Sequence, residues 1–221
     1  GAVPGKVATD GRIIVTGTYA YVLQSNTTAN VHRYDTANNI WDSFLAMPGT
    51  AGYGGDIAVD GTYIYAVRSN AFYSHVLSDT SSAWTTFNTL PGAVSYGGGL
   101  VIDSNYAYVL RGDSSNFYRH HLTPSTGAWE SFTVLPGAVS FGAGVGIDSD
   151  YAYVLRASNT TNTYRHVLSD TSSPWQSFSA LPSNVTNYAG MGVRGGYFYV
   201  AAGTGFLRHT TSDTSSPWQS F

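Results

Sequence analysis

The 221-residue chain contains no cysteine, which rules out a disulfide framework and thiol chemistry alike. Lysine and glutamate are almost missing: Lys6 and Glu130 are the only ones. Charged residues make up 10% of the chain, against about 25% in an ordinary soluble domain. A formal net charge of −3 gives no basic field to draw nucleic acid or anionic membrane, so neither is expected as a partner. No apolar run approaches the ~18 residues of a membrane span, so no membrane insertion is expected. No signal peptide is visible, so the chain reads as cytosolic, or as mature or excised. No window carries a helical period long enough to credit, and no Gly-rich loop leads a strand into a helix to cradle phosphate.

What the chain has instead is a repeat. Its five tryptophans, Trp41, Trp84, Trp129, Trp175 and Trp218, stand 43, 45, 46 and 43 residues apart. A phenylalanine follows each three residues later: Phe44, Phe87, Phe132, Phe178 and Phe221. Met47-Pro48, Leu90-Pro91, Leu135-Pro136 and Leu181-Pro182 close the units. A period of about 40–50 residues containing four strand-like runs predicts propeller blades. The expected fold is therefore all-β, a five-bladed β-propeller of four-stranded antiparallel blades over 1–221. The blades fall at about 1–48, 49–91, 92–136, 137–182 and 183–221.

The third unit shows the pattern. Gly98–Ile102 is small and apolar, as a strand packed on both faces near a propeller axis requires. Asp103-Ser104-Asn105 predicts a hairpin turn, with Asp60-Gly61-Thr62, Asp148-Ser149-Asp150 and Arg194-Gly195-Gly196 as its equivalents. Tyr106–Leu110 is β by composition. A polar loop leads to a third run, Phe117–Leu122, and a turn to a fourth, Trp129–Phe132. The last unit has a shortened loop, 202–205, and the identical segments 169–178 and 212–221 suggest a piece of a longer chain or an abutting copy.

The run Val31-His32-Arg33-Tyr34-Asp35, followed by Trp41 and Met47-Pro48, resembles a kelch repeat. Later units keep the Trp and the Pro but lack the kelch diglycine; Gly54-Gly55 and Gly97-Gly98 lie in the expected first strand instead. A looser likeness is to the Asp-box turn of sialidase-type propellers. Asp79, Asp170 and Asp213 each precede their Trp by five residues, with serine in place of the box glycine. In those families the box is a structural turn.

Equivalent positions of a closed propeller form rings. Arg68, Arg111 and Arg156 share one such position. Arg33, Arg119, Arg165 and Arg208 share another, and His75, His120, His166 and His209 a third. The simplest reading ties each to backbone or to a turn aspartate. The functional reading is one ligand pocket per blade. Tyr53, Tyr96, Phe141 and Tyr188, just ahead of each first strand, are packing residues or a set of sugar-stacking platforms beside those arginines. Histidines in separate blades stand too far apart to share one ion at ~2 Å bond lengths. Asp148-Ser149-Asp150 lacks the glycine and remaining ligands of a calcium loop. Arg111-Gly112-Asp113 is an isolated RGD. Asn26, Asn159 and Asn184 head glycosylation sequons.

No catalytic set stands out, and no cofactor or metal is expected. The expected function is a non-catalytic extracellular or cell-surface interaction module, part of a surface layer, fibre or adhesin. Its partners would be other copies of itself or other surface proteins. The alternative is a multivalent carbohydrate-binding propeller with glycan ligands.

Overall fold

The computed structural model describes residues 2–5, 7, 11–24, 27–187 and 189–221. Among them there are twenty strands and no helix. The fold is all-β, a five-bladed β-propeller of four-stranded antiparallel blades, as the repeat predicts. The blades comprise β1–β4 (Arg12–Thr16, Tyr19–Leu23, Val31–Asp35, Ile40–Ser43), β5–β8 (Asp56–Val59, Tyr63–Arg68, Ala71–Val76, Thr85–Thr86) and β9–β12 (Gly99–Ile102, Tyr106–Leu110, Phe117–His121, Glu130–Ser131). They continue with β13–β16 (Gly144–Ile147, Tyr151–Leu155, Thr163–Val167, Gln176–Ser177) and β17–β20 (Gly190–Arg194, Tyr197–Ala202, Gly205–Thr210, Gln219–Ser220). In every sheet the strands pair in chain order.

The chain forms two compact units. One comprises Gly1–Ser95, Ile102–Ala107 and His120–Trp129, the other Tyr96–Val101, Tyr108–Arg119 and Glu130–Phe221. In the first, Tyr21, Leu23, Phe44, Ile57, Ile64 and Trp84 share one core. The second buries Tyr108, Phe117, Tyr153, Leu155 and Phe198 almost completely.

Tryptophan explains how neighbouring blades adhere. In the first unit the Nε1–H of Trp84 donates to the carbonyl of Ala46 (3.0 Å) and that of Trp129 to Asn88 (2.8 Å). In the second, Trp175 donates to Thr133 (2.8 Å) and Trp218 to Ser179 (3.1 Å). Each indole thus satisfies its single donor on the preceding blade, and those of Trp84, Trp175 and Trp218 are buried. This cross-blade reach also shortens the fourth strands. Trp84, Trp129, Trp175 and Trp218 lie outside them, and only Trp41 is in a strand, β4.

Two expectations are corrected. The glycine pairs precede the first strands, which start at Asp56 and Gly99. Gly54 and Gly97 have φ of 72° and 76°, where a side chain is strained. A Cβ there would strike the carbonyl oxygen of Ser95 and Ser140, respectively. The expectation of opening strands packed on both faces fails in the first blade. Ile13 and Val15 are 69% and 62% exposed, whereas Ile57, in the register position of Ile13, is 3% exposed.

Candidate ligand-binding site

The repeated polar residues first have to be placed. Arg68 ends β6 and turns back on the preceding linker: its Nε donates to the Thr50 carbonyl at 2.6 Å and its Nη1 to Pro48 at 3.2 Å. Arg156, after β14, donates through Nε to the Ala138 carbonyl at 3.1 Å. Gln24 holds the same register position in the first blade and donates to Pro4 at 2.8 Å. Arg111 follows β10 at the equivalent position. Arg68, Arg156 and Gln24 are linker clamps, and these donors point at backbone.

The aromatic residues ahead of the first strands are only partly brought together. Tyr96 and Phe141 stack with centroids 3.9 Å apart. Tyr53 is 46% exposed, and Tyr188 lies outside the described residues. Of the sequons, Asn159 and Asn184 are on exposed loop positions, and Asn26 lies outside the described residues. The aspartate of the RGD accepts a 2.7 Å hydrogen bond from the Ser140 hydroxyl.

The buried histidines belong to the blade joints. The two nitrogens of His166 lie 2.8 Å from the Val167 carbonyl and 2.7 Å from that of Ser173. Its ring sits between Phe132 and Trp175, each 5.0 Å away. His75, His120 and His209 repeat this arrangement.

The serine-rich turns are tied by their aspartates. Asp79, Asp170 and Asp213 each accept from the backbone N–H and the hydroxyl of the serine two residues on. Their carboxyls are held below the usual carboxylate range by these bonds, led by the hydroxyls of Ser82, Ser172 and Ser215, respectively.

The first blade, within the first unit, departs from the pattern in two respects, whereas the fifth, with Arg194 at the turn, lacks only the turn carboxylate. The second blade has Ser74 at the strand-three arginine position, and in the third, fourth and fifth blades that arginine has its Nε capped from the neighbouring fourth strand. Arg119 bonds Glu130 (2.8 Å), Arg165 bonds Gln176 (3.0 Å) and Arg208 bonds Gln219 (2.8 Å). In the first blade the residue paired with Arg33 is Asp42, one methylene shorter. It reaches Nη2 at 3.1 Å and leaves Nε buried without a hydrogen-bond partner. Beside it stands Tyr21, whose counterparts Tyr65 and Tyr153 donate their hydroxyls to the turn aspartates Asp60 (2.9 Å) and Asp148 (2.8 Å). Burial first, and then that aspartate, pushes both of those phenols well above the usual tyrosine value. In the first blade the turn reads Thr16-Gly17-Thr18 in place of Asp60-Gly61-Thr62, so the carboxylate is missing. Burial still raises the Tyr21 phenol, but here a guanidinium, Arg33, opposes the shift.

Tyr21 and Arg33 line one groove of about 590 Å³. Its lining includes Thr16, Tyr19, Tyr21, Arg33, Thr62 and Ser78. The Arg33 guanidinium lies 4.8 Å over the Tyr19 ring, which fixes its plane. No family model matches the chain, and no curated protein proves similar to it. The geometry therefore rests on comparison of the blades with one another.

Reading the sequence by rings set Arg33 among scaffold residues and passed over Tyr21 and Thr16. The signal was present: threonine stands where the second, third and fourth units have aspartate, and Asp42 where the third, fourth and fifth units have glutamate or glutamine and the second has Thr85. Among the described residues no three His, Cys, Asp or Glu side chains cluster to hold a metal ion.

Proposed function

We propose that the chain is a non-catalytic interaction module of an extracellular or cell-surface assembly, its partners being copies of itself or other surface proteins. The observation that carries this reading is the apolar face of β1. Ile13 and Val15 are 69% and 62% exposed, and Ile40 on β4 is 55% exposed. β1 and β4 are the two edge strands of their sheet, and exposed apolar residues on a sheet edge favour association. Few charges oppose it, since desolvating them is what makes polar interfaces costly. The repeated arginines, histidines and aspartates support the reading too, because the bonds described above engage them in holding linkers, blade joints and turns. Exposed sequons at Asn159 and Asn184 fit a glycosylated surface. We also propose that the blades are kelch-like, on the strength of the Arg33-Tyr34-Asp35, Trp41 and Met47-Pro48 pattern.

The test is sedimentation velocity across a hundredfold concentration range, on the wild type and on an Ile13→Thr/Val15→Thr variant. Concentration-dependent assembly in the wild type, lost in the variant with its β circular dichroism intact, is the expected result. A wild type that stays monomeric throughout, and assembles with no surface protein offered to it, would sink the reading. The carbohydrate-binding alternative is favoured by one observation, the groove beside Arg33, and in a single blade.

A further inference from the structure

We infer that the groove beside Arg33 binds the carboxylate of an acidic sugar, a hexuronic acid by chemical class. The argument is a substitution made by the protein itself. In the second and fourth blades the strand-two tyrosine hydroxyl meets an aspartate Oδ2. In the first blade threonine replaces that aspartate while the tyrosine, Tyr21, is kept. The arginine is also kept, and its Nε is the only buried arginine nitrogen without a partner among the described residues. The Tyr21 hydroxyl has lost the aspartate of its counterparts and lies in hydrogen-bond contact with the Arg33 guanidinium, and both side chains line the groove, so a carboxylate entering it can accept from both. A buried donor left unmet costs ~1–3 kcal/mol, and a bond from Arg to carboxylate is among the strong ones.

The rest of the ligand follows from the walls. Thr16, Thr18, Thr62 and Ser78 give the groove a hydroxyl-bearing rim, and Tyr19 and Tyr21 give it an aromatic side. That combination suits a polyhydroxylated ring, and about 590 Å³ lies within the ~300–1,000 Å³ of small-molecule sites. The Asp42 carboxylate is not an obstacle. Its side chain is 46% exposed, so solvent screens it and it can yield Nη2 to the ligand.

The experiment titrates the whole chain with sodium glucuronate by calorimetry or ligand-observed NMR, with glucose and acetate as the two halves of the probe. Glucuronate is expected to bind at least tenfold more tightly than either. Thr16→Asp, which restores the acceptor that Asp60 supplies to Tyr65, is expected to weaken glucuronate at least tenfold without loss of folding. Arg33→Gln and Tyr21→Phe should weaken it as well. Glucuronate binding that is absent, or unchanged in Thr16→Asp, overturns the site. Acetate binding as tightly as glucuronate overturns the sugar. Thr16→Asp leaves the β1 face untouched, so failure here and failure of the association reading are separate results.

Discussion

Restoring a missing linker clamp should stabilise the protein. In the second blade Arg68 and Ala71 close a two-residue hairpin, Ser69-Asn70, and in the last blade Ala202 and Gly205 close the same hairpin through Gly203-Thr204. Ser69 and Gly203 share the left-handed conformation, at φ 47° and 58°. Arg68 is therefore a template for position 202, where alanine has no donor to offer. The linker changes in step. A Cβ on Gly49 would stand 3.0 Å from the Arg68 guanidinium carbon, and one on Gly137 2.7 Å from that of Arg156. Glycine makes room for the cation at both, whereas the linker facing Ala202 has Ser183. The result is a cavity of about 420 Å³ lined by 181–187, 202–205 and Leu207.

Ala202→Arg combined with Ser183→Gly should fill this space and place the guanidinium on the carbonyls of Pro182 and Asn184, the counterparts of Pro48 and Thr50. Two bonds from a charged donor are worth ~1.5–3 kcal/mol each, and ordering the arginine costs about 2 kcal/mol. The glycine adds a further ~0.5–1 kcal/mol of chain entropy. The net expectation is between about 0 and 3.5 kcal/mol of added stability, or roughly 2–4 °C in Tm per kcal/mol for a chain of this size. Either single change should be neutral or destabilising: the arginine alone meets the serine Cβ, and the glycine alone only loosens the chain. Urea denaturation of the two singles and the double completes a thermodynamic cycle. A coupling below ~0.5 kcal/mol, the scatter of independent sites, would refute the account of the clamp.

Three further outcomes are expected. His166→Ala should lose about 2–4 kcal/mol in urea unfolding, because it removes a buried ring, its N–H bond to backbone carbonyl and two ring contacts; a loss under 1 kcal/mol would contradict its role in the joint. Gly97→Ala should lose about 2–4 kcal/mol by the same assay, from left-handed strain and collision with the Ser140 carbonyl, and a neutral result would contradict that close approach. Acid should weaken the fold through Asp79, Asp170 and Asp213, whose carboxyls are lowered in the folded chain. Their stabilising contribution is complete above the ordinary carboxylate value near pH ~4 and declines as pH falls through the lower folded values. The triple Asp→Asn variant should show a flatter stability profile between pH 6 and pH 2, and an unchanged profile would refute it.

The fold was legible because repetition and strand chemistry are local. Five Trp-x-x-Phe signals at a blade period, Tyr-Ala-Tyr-Val-Leu runs and Asp-led turns each act within a few residues of themselves, and strands such as Tyr106–Leu110 match their expected bounds. A sequence also shows which side chains recur, and hence that Arg68, Arg111 and Arg156 are equivalent. Where their donors go is decided across a gap: the Arg68 acceptors lie 18 and 20 residues away, on a linker. The groove was hidden for the same reason. Thr16 and Asp42 look like ordinary drift until β1, β2, β3 and β4 bring them beside Tyr21 and Arg33. What distinguishes that place is the length of one side chain and the loss of one carboxylate, which matter only once burial has removed water as the alternative partner.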